Sequence, residues 1–434
     1  MTRRQYVGKQ IQPTKRSMSF YSVPLDEYSN TYRYASGVIR KTRKQNVHSL
    51  SSQHIRLLKG YWKSICSLIY ETSLPSPSPS QSQTDMSKIY NNAMYSYIPN
   101  KIRQEIESKT TSQLSFKTTL LRGRKVEIYI ASSGYNEPDY KIYLKNMVAW
   151  LNYISEFASK KCSQTLQIYL LLTDAKKTIP EMDEEPIDKI HANTAFTTSC
   201  SPTNSIFIFR REEWFKVFMH ETFHCFGLDF SALNVEESNR SILSHFPAVD
   251  PQTDIRLYET FCEMWAEIFH LMFCLFVSKD GLCSQFSETR FKTALQKEQA
   301  FSIYQSNKVL RHAAAGLRYE ELFASDHDKK YRENTQAFSY YVLKSALLWN
   351  IDEFMKWCVK YAGPEKHPLQ FNAKHIAEYC DLVVGSSKRQ SYMRTIERRT
   401  LQKIKDIPDI ENTLRMTAID PKWYVGSYSR QIEN

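Results

Sequence analysis

The sequence predicts an α+β fold in which a small mixed sheet and one buried helix sit above a mainly helical C-terminal part. Three observations lead there. Strand-like alternation is confined to residues 114–210. The helix that follows is apolar around most of its circumference, yet carries two histidines and a glutamate. Beyond Val277 the apolar spacing is helical almost throughout. With 434 residues, 42% hydrophobic and 13% aromatic, the chain can bury a sizeable core in one large or two modest domains.

In chain order, residues 1–60 hold twelve Lys or Arg against Asp26 and Glu27 only, with no sustained apolar period. They read as an extended basic arm, either a docking element for nucleic acid, a membrane face or an acidic protein partner, or a solvated tail. A helix is expected over 52–71 (Ile55, Leu58, Trp62, Ile65, Ile69), so residues 1–73 are arm and helix. Residues 74–85, rich in Pro and Ser, form a linker, and the folded domain is expected to begin after it. An upper subdomain over 86–230 would hold a hairpin (114–121 and 125–132), a helix (140–159), a buried strand (166–172) and strands at 193–198 and 205–210. A loop over 231–253 would open a lower helical subdomain, 231–434, with helices at 255–277, 288–315, 335–349, 351–362, 369–380 and 388–405. The last is basic, which suits nucleic acid or simply a solvated face.

The net charge of +12 favours acidic partners without naming one. Nine cysteines, odd in number and without a CxxC pair, argue against a disulfide framework and for a reducing, cytoplasmic setting. No signal-peptide core opens the chain, and the apolar run 268–277 is too short to span a bilayer, so no transmembrane segment is expected. No Walker loop or Gly-x-Ser-x-Gly elbow occurs, which counts against nucleotide hydrolysis and serine chemistry.

The chemistry gathers at His220-Glu221-Thr222-Phe223-His224, an HExxH motif on the helix after the last strand. Histidines four apart lie on one helix face, so both imidazoles reach a single zinc ion, which suits neutral imidazole. Glu221 beside them would take a proton from a water whose pKa the metal lowers. Gly227 supplies a C-terminal stop, while Glu212 and Glu213 would favour the positive end of the helix dipole. A catalytic zinc site needs a third protein ligand. The helix 255–277 offers Glu259, Glu263 and Glu267 at four-residue spacing on one face.

The succession of helix, strands and HExxH helix resembles the zincin-like metallopeptidases. The extended motif HExxHxxGxxH fails at Phe230, so the resemblance is to the glutamate-type branch, whose E-x-x-A-[DE]-x-x-A pattern is similar to the stretch from Glu259 to Ala266. It implies a polypeptide substrate, Glu259 as third metal ligand and Glu263 as the acid that orients a histidine. A register one turn later, with Glu263 on zinc and Glu267 behind it, fits nearly as well. It also implies a rim strand, 193–198 or 205–210, that pairs with substrate, and an oxyanion donor for which Tyr340, Tyr341 and His312 are candidates. Over residues 110–280 the wording is similar to predicted metallopeptidases of large cytoplasmic DNA viruses. That implies cytoplasmic replication and leaves open a virion protein that keeps the shape without the catalysis.

Overall fold

The computed structural model describes residues 49–74, 86–110, 112–132, 137–182, 185–314, 316–325, 330–362, 366–398 and 409–424. The basic arm before residue 49, most of the Pro/Ser linker and the end of the basic C-terminal helix lie outside the described residues.

The expected strands assemble into one five-stranded mixed sheet of order β1-β2-β3-β5-β4. Strands β1 (Ser112–Thr119) and β2 (Lys125–Ser132) form the antiparallel hairpin. The helix Glu137–Ser155 carries the chain over to β3 (Thr165–Thr173), which lies parallel to β2 as such a crossover requires. Strand β5 (Thr203–Arg210) runs parallel to β3, and the short β4 (Ala195–Thr197) closes the edge antiparallel to β5.

Because side chains alternate across a strand, each strand feeds two cores. Ile128, Ile168, Leu170, Ile206 and Ile208 face the main helical core. Tyr129, Tyr169, Phe207 and Phe209 face the other side, where Ile89, Tyr95, Ile98, Ile102 and Ile106 cover them.

We number the principal helices in chain order: α1 (Ser52–Glu71), α2 (Asn100–Lys109), α3 (Glu137–Ser155), α4 (Trp214–Cys225), α5 (Glu236–His245) and α6 (Leu257–Phe276). They continue as α7 (Glu288–Ala313), α8 (Lys344–Trp349), α9 (Ile351–Ala362), α10 (Ile376–Ser387) and α11 (Gln390–Arg398). Every residue of α4 is buried, and α6 is buried along all but one of its positions, so these two helices form the centre of the molecule.

Several expectations are corrected. Helix α1 does not stand apart from the folded body. Its apolar face is buried, with Trp62 against Phe273 and Phe276 of α6 and its indole N–H donating to Ser284 O at 2.9 Å. The 231–253 loop contains α5, whose few apolar residues (Ile242, Leu243) are too sparse to announce a helix. The helix expected from 335 begins as a π-helical turn, Phe338–Leu343, before α8. The one expected at 369–380 starts only at Ile376 and runs on to Ser387. Cys162 and Cys200 are joined by a disulfide, against the expectation of thiols only; the other seven cysteines are free. No described helix is long and apolar enough to cross a membrane.

The C-terminal segment 409–424 is tied to the start of α4. Ile179 N donates to Asn412 O and Leu414 N to Lys177 O. Glu213, at φ 58 just before α4, does not cap that helix as a dipole partner. Its buried carboxylate instead accepts from Met416 N, Thr417 N and Thr417 Oγ1, and pairs with Lys177 Nζ at 2.7 Å. Phe215 N donates to Tyr424 Oη at 2.8 Å, and the Tyr424 ring stacks on Trp214.

Candidate metal centre

Helix α4 presents His220 and His224 one turn apart toward α6, and Glu259 in the first turn of α6 meets them. Three atoms converge. His220 Nε2 lies 2.9 Å from His224 Nε2 and 2.9 Å from Glu259 Oε2, and His224 Nε2 lies 3.3 Å from that same oxygen. This buried triad is a candidate metal site.

The outer nitrogens decide what the inner ones can do. His224 Nδ1 donates to Asp229 Oδ2, which fixes the proton on Nδ1 and leaves a lone pair on Nε2. His220 Nδ1 is 2.9 Å from Glu263 Oε1, with its N–H off the direct line between them. With both Nδ1 atoms turned to carboxylates, two imidazole lone pairs and a carboxylate oxygen face one another. Only a cation, a proton or a metal ion, relieves such a meeting of acceptors. Ligands held at about 2.0 to 2.1 Å by a tetrahedral zinc sit about 3.3 Å apart, so the triangle needs to open by only a few tenths of an ångström.

The chain matches no family model, no curated protein and no solved structure. The site therefore stands on its own geometry.

Its electrostatics follow from burial against pairing. Burial opposes charge on His220, but the carboxylates of Glu259 and Glu263 beside the ring outweigh it and lift the ring to about 9. Burial likewise opposes charge on His224, and Cys262, Asp229 and Glu259 outweigh it and raise the ring. Burial would raise Glu259, yet the charge of His224 and the hydrogen bonds of both rings hold its carboxyl well below the usual range. Glu221 is pushed up to about 6 by burial, with the two imidazoles pulling the other way. Its side chain makes no hydrogen bond among the described residues. His220, Glu221, His224 and Glu259 are 4–7% exposed, so the site is nearly but not wholly sealed.

The sequence-derived candidates separate in space. Glu259 faces the inner nitrogens, and Glu263, one turn on, is the acid at His220 Nδ1. In the alternative register Glu267 would back a zinc-binding Glu263, but Glu267 pairs with Lys344 Nζ at 2.8 Å instead. Tyr340 is carried by the π-helical turn and its ring centroid lies 6.2 Å from that of His220. Burial, then Glu259 and Glu221, push its hydroxyl pKa up, so it keeps its proton. The structure does not bring Tyr341 or His312 there. Tyr341 donates to Leu414 O, and His312 Nε2 meets Glu185 O at 2.7 Å.

Sequence reasoning missed three neighbours of the site. Asp229 follows the turn at Gly227, and a carboxylate five residues after the second histidine was the signal available. Ser231 N and Oγ donate to its Oδ1, fixing its orientation. Tyr258 sets its ring edge-on to His224, 5.8 Å between centroids. Lys216, four residues before His220, ends on Glu263 Oε2.

Proposed function

We propose that the chain is a zincin-like, glutamate-type zinc metallopeptidase, with His220, His224 and Glu259 on the metal. Asp229 and Glu263 orient the rings, and Glu221 is the base. The observation that carries the reading is the convergence of His220 Nε2, His224 Nε2 and Glu259 Oε2 with both Nδ1 atoms turned to carboxylates. Two imidazoles and one carboxylate form a donor set that suits zinc and leaves a fourth position open. Zinc held there would polarise a water and lower its pKa toward neutrality.

The chain's own residues supply the rest. Glu221, poised at about 6, is ionised at neutral pH and still basic enough to accept a proton. Tyr340, held protonated beside His220, is a donor for the oxygen that gains negative charge as a peptide carbonyl is attacked. Strand β4 suits an extended substrate. Thr194 O accepts from Phe209 N, so the antiparallel register turns the N–H and C=O groups of Ala195 and Thr197 away from β5.

Metal analysis and a peptide-cleavage assay test this reading. Purified protein should hold about one zinc per chain. His220→Ala should lose it, and Glu221→Gln should keep it while abolishing cleavage. A wild-type protein that takes up no zinc would overturn the proposal. Zinc bound without cleavage of any peptide would leave a silent scaffold of the same shape.

A further inference from the structure

The acidic stripe of α6 divides its labour. Glu259 meets the inner nitrogens of both imidazoles, Glu263 lies between His220 and Lys216, and Glu267 pairs with Lys344. Lys216 is the unexpected member. It sits one turn before His220 on the same face of α4, has no exposed surface, and is flanked ahead of the motif by apolar residues only, Trp214, Phe215, Val217, Phe218 and Met219. An apolar residue would fill that place at less desolvation cost, so a lysine there needs a reason.

Its surroundings supply one. The ammonium contacts Glu263 Oε2, while the other oxygen of that carboxylate, Oε1, lies 2.9 Å from His220 Nδ1. The further contact is Met416 Sδ at 3.5 Å. Lys216 and His220, one helical turn apart, are thus bridged by a single side chain from α6. A carboxylate with one oxygen fixed by a cation cannot turn that oxygen toward the ring, and its second oxygen is held in place. Lys344, a buried cation from α8, contacts Glu267 at 2.8 Å, and its effect on Glu263 is one of charge rather than contact, so the cation touching Glu263 is Lys216.

We propose that Lys216 is a positioning residue of the metal centre: it pins Glu263, and Glu263 in turn sets the orientation of His220 toward the metal. This rests on the metal-site reading above. The relay runs Lys216, Glu263, His220, and its effect on the metal passes through Glu263 alone. Losing an outer-sphere partner of a metal-bound histidine weakens binding by about 10- to 100-fold.

The test measures zinc affinity by competition with a chromogenic chelator, together with the visible spectrum of the Co²⁺-loaded protein. The proteins are wild type, Lys216→Met, Lys216→Arg, Glu263→Gln and the double variant Lys216→Met/Glu263→Gln. Lys216→Met and Glu263→Gln should each bind zinc about 10- to 100-fold more weakly, with an altered cobalt spectrum, and Lys216→Arg should recover most of the loss. The double variant should bind no more weakly than Glu263→Gln, because the lysine has nothing left to act through. If Lys216→Met alone does not fold, Lys216→Gln, which leaves Glu263 a neutral donor in place of a cation, takes its place in the comparison; it should lose affinity in the same direction, and wild-type affinity in that variant would overturn the relay. Lys216→Met with wild-type affinity, Glu263→Gln with wild-type affinity, or a double variant weaker than Glu263→Gln would each overturn the relay. A wild-type protein that binds no zinc would overturn the metal-site reading instead.

Discussion

Replacing Gly227 with alanine should damage both stability and the candidate metal site, and the size of the effect can be worked out. Gly227 ends α4 at φ 64, with its N–H on His224 O and the next N–H, of Leu228, on Phe223 O. A residue with a Cβ in this left-handed conformation costs about 1–2 kcal/mol. The added Cβ would also lie 3.0 Å from Cys162 Sγ and 3.0 Å from Cys200 Cβ. Those two are bonded to each other and cannot swing aside freely, so overpacking adds about 1–3 kcal/mol. The total, about 2–5 kcal/mol, is a large share of the 5–15 kcal/mol typical of a folded domain. Urea unfolding should show it as a lowered midpoint at unchanged slope. Gly227→Asn, which tolerates the left-handed backbone but keeps the Cβ contact, should recover only the first part. Reduction of the disulfide should shrink the second. Because the same turn brings Asp229 back to His224, zinc affinity should fall as well, by about 10-fold or more. A Gly227→Ala protein within about 0.5 kcal/mol of wild type would refute the reasoning.

Four further outcomes are expected. Zinc and protons compete for the same lone pairs, so affinity measured by chelator competition should rise from pH 6.5 to about 9, the raised value of His220, and a flat profile would count against the donor set. Tyr340→Phe should keep the metal and lower kcat by about 100- to 1,000-fold with KM little changed; full activity would remove it as the oxyanion donor. Glu333 is raised from 4.5 to about 8 by burial, against hydrogen bonds from Tyr331 and Phe338. Such a group contributes stability that is complete below pH 4.5 and lost as pH climbs through 8, so Glu333→Gln should flatten the decline in unfolding free energy across that window, and superimposable profiles would argue otherwise. Removing residues 409–434 strips Glu213 of three donors at about 1.5–3 kcal/mol each, so the truncated chain should lose cooperative unfolding in circular dichroism; a melt like that of the full chain would refute the role given to this segment.

What could be read from the sequence was mostly what is local. The strands and α4 announce themselves because their periods are fixed by neighbours two to four residues away, and the spacing of His220 and His224 alone puts both rings on one face. Glu259 and Glu263 could be shortlisted for the same reason, but choosing between them needed the approach of α6 to α4, a tertiary fact. The docking of α1 through Trp62 depends on partners some two hundred residues away. The Cys162–Cys200 bridge, 38 residues apart, leaves no spacing signature. Tyr341 and His312 were chosen by residue type only, and type says nothing about direction: one points to Leu414 O and the other to Glu185 O.

The bonds between residues 412–424 and the beginning of α4 set an order of events in biosynthesis. Glu213 and Trp214 are made some two hundred residues before Thr417 and Tyr424, the groups that satisfy them. Until those later residues have left the ribosome, the nascent chain holds a carboxylate without its donors and an indole without its cover. The start of α4, and with it the candidate metal site two turns further along the same helix, can therefore reach its final packing only after the chain has been made past Tyr424.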